Sequence, residues 1–265
     1  MSSDEKRLLT NYNGRIWMVD LVKGSFVRFA ITADNNTAFS PDGSRVVYVD
    51  EGTDKIYQRL SNGTGNAELL FDPKVEDWVR HVSWSADGRF IIFTRSNPDT
   101  RYDVWVVPLF GDRKPFPYLQ TEWREDNARF SPDGKWIVYE SDETGQPEIY
   151  VRSFPADKAG GKWQISTVGA EQPTWRRDGK ELFYLTLDKR LMAAEVKTGQ
   201  TFESGPGRLL FQTHVEPRIN TTAMVSRRQY FVGSNGQRFL INTMIENKAS
   251  VEITVLLNWK SLLKK

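Results

Sequence analysis

Four turn motifs recur along this chain at nearly constant spacing. They are Phe39-Ser-Pro-Asp-Gly43, Trp84-Ser-Ala-Asp-Gly88, Phe130-Ser-Pro-Asp-Gly134 and Trp175-Arg-Arg-Asp-Gly179, with their glycines 45, 46 and 45 residues apart. A fixed period of that length is the signature of a repeat architecture with one supersecondary unit per repeat. After each glycine, apolar residues alternate: Val46 and Tyr48, Ile91 and Phe93, Ile137 and Tyr139, Leu182 and Tyr184. A period of two puts them on one face of a strand, and Asp-Gly supplies the positive φ that a tight hairpin needs.

Each motif therefore reads as strand, hairpin, strand. A third strand is expected at 55–60, 103–109, 148–154 and 190–196, and a weaker fourth at 67–71, 116–120, 163–167 and 208–212. Four short antiparallel strands per repeat make one blade of a β-propeller. The turn residues Asp42, Gly43, Asp87, Gly88, Asp133, Gly134, Asp178 and Gly179 are read as structural, the aspartates accepting hydrogen bonds from turn amides.

The ends are less regular. Val232-Gly-Ser-Asn-Gly236 is a degenerate fifth copy, with the additional residues placed at 214–228 and a third strand at 251–259. At the N-terminus, 15–21 and 25–30 look like a third and a fourth strand. The expectation is one all-β domain over 1–265, a propeller of four-stranded antiparallel blades. Its repeats fall near 33–71, 78–120, 125–167 and 171–212, with a degenerate one at 219–259 and a partial blade at 8–30. Five to six blades are expected, closed by N- and C-terminal strands, split into two partial blades, or left as an open fragment.

Composition excludes several classes. With 36 basic and 34 acidic residues the formal charge is +2, which gives no case for nucleic acid. Cysteine is absent and histidine occurs twice, so a structural zinc site is not expected. No signal peptide or membrane-spanning stretch is read, and no insertion of this chain into a membrane is expected. No phosphate loop, serine elbow or EF-hand spacing is found, and no cofactor is called for.

The repeats FSPDGSRVVYV, WSADGRFIIFTR and FSPDGKWIVYESDETGQPEIYVRSF resemble those of the bacterial TolB-type propellers, relatives of the WD repeats, from Phe39 to about Gln212. The run Gln229–Val232, Gly236–Thr243 and Ile253–Trp259 is similar to the end of the propeller sensor region of certain bacterial transmembrane Ser/Thr protein kinases. That resemblance implies a periplasmic or extracytoplasmic sensor module. This chain carries no kinase motifs, so phosphoryl transfer lies outside it.

Function is sought where propellers place recognition, in the loops joining one blade's outer strand to the next blade's inner strand. Those loops, 33–37, 75–81, 122–127 and 170–173, hold Asp34, Asp77, Trp78, Arg80, His81, Trp123, Arg124, Glu125, Asp126, Glu171 and Gln172. Aromatic, Arg and acidic side chains on one rim suit a protein or peptide ligand. The bland alternative is ordinary polar loops, with Trp78 and Trp123 packed against neighbouring blades. Two further readings are a calcium ring of Asp77, Asp126 and Glu171, belonging to a channel-metal hydrolase or lyase, and a truncated gene product without independent function.

Overall fold

The computed structural model describes residues 1–12, 15–30, 36–73, 77–156, 161–199, 201–215, 228–243 and 253–256. All described regular structure is β, in six antiparallel sheets. The first sheet holds β1 (Arg7–Tyr12), β2 (Arg15–Asp20) and β3 (Ser25–Ala30). The second is β4 (Thr37–Phe39), β5 (Arg45–Val49), β6 (Ile56–Leu60) and β7 (Glu68–Phe71). The third is β8 (Val79–Trp84), β9 (Phe90–Asn97), β10 (Arg101–Pro108) and β11 (Phe116–Leu119). The fourth is β12 (Glu125–Phe130), β13 (Trp136–Ser141), β14 (Glu148–Ser153) and β15 (Lys162–Gln164). The fifth is β16 (Ala170–Trp175), β17 (Glu181–Thr186), β18 (Arg190–Thr198) and β19 (Phe202–Gln212). The last is β20 (Tyr230–Val232), β21 (Phe239–Asn242) and β22 (Ile253–Leu256).

Six apolar clusters alternate with the six sheets, one per junction. Phe39 and Val46 meet Leu9 and Ile16 between the first and second sheets. Val47 and Ile56 meet Val79 and Phe93 at the next junction, and Val104 and Val106 meet Phe130 and Tyr139 at the third. Trp136 and Val138 meet Trp175 and Phe202, and Phe183 and Leu191 meet Tyr230 and Phe239. The sixth cluster joins Leu8 and Val19 of the first sheet to Leu240 of the last, so the sheets form a ring. Strands β4, β8, β12 and β16 contact one another in series and surround its axis. This is a propeller with two three-stranded sheets at its seam, the two-partial-blade arrangement among those expected.

The turns repeat six times, two more than the Asp-Gly count. The amide of Gly43, Gly88, Gly134, Gly179 and Gly236 donates to the carbonyl three residues earlier, at 2.8–3.0 Å, and Glu5 makes the same bond to Ser2. In four of them a serine hydroxyl donates to the aspartate two residues on: Ser2 to Asp4, Ser40 to Asp42, Ser85 to Asp87 and Ser131 to Asp133, at 2.5–2.6 Å. Met1-Ser-Ser-Asp-Glu5 is thus the motif with Met in the aromatic position and Glu at φ 58° in place of glycine. Strand β1 follows this turn in the place that the second strand holds in a full blade, a strand beyond the two expected at 15–21 and 25–30.

Other differences are local. The fourth strand of the fifth sheet begins at Phe202 rather than at 208, because Thr198 and Phe202 pair in a hairpin. The 163–167 strand contracts to Lys162–Gln164. Of 251–259 only Ile253–Leu256 is described, and most of the 214–228 insertion lies outside the described residues.

Candidate functional site

Linker residues expected in loops lie instead in the inner strands. Val79–His81, Glu125–Asn127 and Ala170–Pro173 open β8, β12 and β16. Each strand bulges there: the register slips between Arg80 and Ser83, between Asp126 and Arg129, and between Glu171 and Thr174. A bulge leaves a residue unpaired and turns its backbone. His81, Asn127 and Gln172 occupy this place at φ 56°, 55° and 57°. All three precede their turn glycine by seven residues, as do Asn36 and Gln229.

These five polar residues are buried and form a belt from sheet to sheet. The His81 amide donates to Asn36 Oδ1 at 2.8 Å. The Gln229 amide donates to Gln172 Oε1 at 2.9 Å. Glu140 Oε1 accepts both Asn127 Nδ2 at 2.7 Å and the Gln172 amide at 2.6 Å. Side chains of one sheet thus satisfy bulge amides of the next, which burial would otherwise leave costly.

Asp126 is the centre of charge. Its carboxylate accepts Arg80 Nη2 at 3.0 Å, Arg124 Nη2 at 2.7 Å, His81 Nδ1 at 2.6 Å and the Asn127 amide at 2.8 Å. Burial pushes its pKa up, but Arg80, His81 and Arg124 outweigh this and hold it well below the usual carboxylate range. An ionised Asp126 places the imidazole proton on Nδ1. Tyr102 covers the two guanidiniums, 3.8 Å from Arg80 and 5.5 Å from Arg124.

The structure thus brings together Arg80, His81, Arg124 and Asp126. Asp77 stands apart, accepting Arg95 Nε at 2.9 Å. Glu171 is fully buried, with Lys189 Nζ 3.7 Å away. Trp78 and Trp123 are not packed away: they are 55% and 39% exposed on the linker face. Their backbones are anchored, the Trp78 amide on Ser96 Oγ at 2.6 Å and the Trp123 amide on Thr121 Oγ1 at 3.1 Å. Asp34 lies outside the described residues. Glu125 is buried beside Asp103 and Asp142, and desolvation pushes its carboxyl up to about 7 despite a hydrogen bond from Thr121. Among the described residues no group of three or more His, Asp or Glu stands in metal-holding geometry. The turn aspartates accept amides two residues on, Asp42 from Ser44 at 3.0 Å and Asp133 from Lys135 at 3.1 Å.

Sequence reasoning missed Asn36, Tyr102, Asn127, Arg129, Glu140 and Gln229. The register of the belt was available: counting back seven from each turn glycine names it. The contacts of Tyr102 and Glu140 were not, since both come from other strands.

No family model matches the chain. It is 29% identical over 157 residues to an uncharacterized protein of Agrobacterium fabrum, covering 56% of this chain and 52% of that one. It is 31% identical over 96 residues to an uncharacterized peptidase of Sinorhizobium fredii, covering 32% of this chain and 13% of that one. The chain thus spans about half the length of the first relative and far less of the second. Among solved structures it is similar to a TolB candidate from Agrobacterium tumefaciens, with TM-score 0.63, 21% identity, and coverage of 78% of this chain and 79% of that one. It is also similar to TolB from Acinetobacter baumannii, with TM-score 0.65, 20% identity, and coverage of 88% and 55%. A manganese complex of oligogalacturonate lyase aligns with TM-score 0.64 and 12% identity over 98% of this chain and 73% of that one. At these identities the likeness is one of fold: the chain is a TolB-like propeller.

Proposed function

We propose that the chain is a non-enzymatic propeller module that binds a protein or peptide through its linker face, as the sensor or scaffold part of a larger envelope or signalling protein. The observation that supports this most is the pair Trp78 and Trp123, 55% and 39% exposed, each with its backbone amide fixed. Arg80, Arg124, Tyr102 and Asp126 hold the framework between them. Exposed Trp side chains on an anchored backbone beside Arg suit the anchors of protein interfaces, and loops on a rigid scaffold are where such folds recognise partners. The kinase-sensor resemblance and a periplasmic location belong to this reading. Among the described residues no helix is long and apolar enough to cross a membrane, which says nothing about strands.

Selection of a random peptide library on the immobilised chain tests it. A consensus peptide is expected, with binding at least tenfold weaker to Trp78→Ala and Trp123→Ala. Absence of enrichment, or equal binding by both variants, overturns the reading.

The rival is a channel-metal hydrolase or lyase, suggested by the lyase among the structural neighbours. Against it, Asp77, Asp126 and Glu171 each already face a cation. A rise in melting temperature with micromolar manganese or calcium would favour the rival.

A further inference from the structure

We infer that the central channel holds a binding site for a carboxylate at Arg129. This residue stands on the inner strand β12, five positions before its turn glycine and two beyond the belt residue Asn127. Ala38, Ser83, Thr174 and Phe231 stand at the same place in the other inner strands, and all five are half-buried. They mark one level of the channel wall, across the bulge from the belt. The Arg129 guanidinium reaches across to the next inner strand, β16, where Pro173 lies.

The guanidinium is incompletely satisfied. Nε donates to the Pro173 carbonyl at 3.0 Å and Nη2 to Asn127 Oδ1 at 3.2 Å. Both acceptors are neutral. Among the described residues no carboxylate lies within ion-pair distance of Arg129, in contrast to Arg80 and Arg124, which share Asp126. Glu140 is near enough to act on it through space, but its Oε1 is taken by Asn127 and Gln172. Burial pushes the Arg129 pKa down to about 10, against the opposing influence of Tyr230 and Glu140.

Two hydrogen bonds leave Nη1 and the second Nη2 hydrogen at the open end of the fork. That end matches the two oxygens of a carboxylate. Ser83 stands at the same level in the preceding sheet. A planar carboxylate therefore fits better than a spherical halide. The ligand is either a free small carboxylate or the acidic side chain or C-terminal group of a longer molecule entering the channel. This site does not depend on the linker-face reading.

The test is thermal unfolding of the full chain in sodium acetate against sodium chloride at equal ionic strength, for the native protein, Arg129→Met and Arg129→Lys. Acetate is expected to raise the native melting temperature saturably, by a few degrees at high occupancy. It should have no such effect on Arg129→Met and a reduced one on Arg129→Lys. An equal response in all three proteins, or none at 100 mM acetate, overturns the proposal. Circular dichroism at 20 °C verifies that each variant is folded; if Arg129→Met is not, Arg129→Lys carries the comparison. Repeating the titration with N-acetylglycine and N-acetylaspartic acid amide separates the sources. Response to either points to a peptide carboxylate, and response to acetate alone points to a small free anion. Failure here would leave the Trp78 and Trp123 experiment untouched, and the converse also holds.

Discussion

Asp126 illustrates how a residue picked for its chemistry can be held for stability. Two guanidiniums and an imidazole converge on one fully buried carboxylate, and removing one partner leaves the others as uncompensated buried charge. Asp126→Asn is expected to cost about 3–5 kcal/mol, read from chemical denaturation. The native pKa of Asp126 is depressed, so the stability it contributes is present above the ordinary value of 3.8 and is lost as pH falls through the lower folded value. Glu125 behaves oppositely. Its folded pKa is raised from 4.5 to about 7, so the folded state holds a proton that the unfolded chain has released. Stability should therefore fall as pH rises from 4.5 to 7 and stay lower above that. Glu125→Gln is expected to flatten this slope and to gain about 1–2 kcal/mol at pH 8. A denaturation series from pH 4 to 8 on both proteins gives the comparison, and parallel curves would refute it.

At the scale of the element, the repeated turn separates backbone strain from packing. Gly134 and Gly236 both sit near φ 70°. A Cβ on Gly134 meets nothing within 4 Å, while one on Gly236 falls 2.8 Å from Arg176 Cδ and 3.2 Å from Phe183 Cζ. Gly134→Ala should cost the left-handed penalty alone, about 1–2 kcal/mol. Gly236→Ala should cost more, since Phe183 is fully packed in its cluster. Equal losses would show that the flexible Arg176 side chain and its neighbour yield without cost. Five of these turns were legible, four because Asp-Gly follows from the φ requirement and recurs in register and the fifth as the degenerate Asn235-Gly236 copy. The turn at Met1–Glu5 was not, because neither its aromatic nor its glycine is kept. The Ser2 hydroxyl and the Lys6 amide donate to the Asp4 carboxylate, and the Glu5 amide donates to the Ser2 carbonyl, and these bonds hold it instead.

For the whole molecule, the seam between first and last sheets decides whether the ring behaves as one unit. The seam is held by Leu8, Val19 and Leu240. Polar contacts add to it, as Glu5 accepts Arg238 and the Ser234 amide, while from the turn of the fifth sheet Arg177 donates to the Ser3 carbonyl at 2.8 Å. Leu240→Ala is expected to cost about 2–4 kcal/mol while unfolding stays a single transition. A second, earlier transition in tryptophan fluorescence would mean instead that the seam opens separately.

The one-dimensional pattern by itself determined the strands, the hairpins and the repeat. Each depends on local properties: alternation of apolar residues, positive φ at Asp-Gly, and a period near 45. It also pointed to the linkers, and so to Arg80, His81, Arg124 and Asp126, because polar and aromatic residues gather there. Only the tertiary structure decided what those residues do. His81 and Asp126 meet across 45 positions of sequence and Arg129 reaches Pro173 across 44. Side chains turn inward or outward according to a bulge that no residue type announces. Trp78 and Trp123 look alike in sequence to the buried Trp136 and Trp175, yet stay exposed, because burial depends on which blade arrives opposite them. Which charges find partners is settled by the closing of the ring.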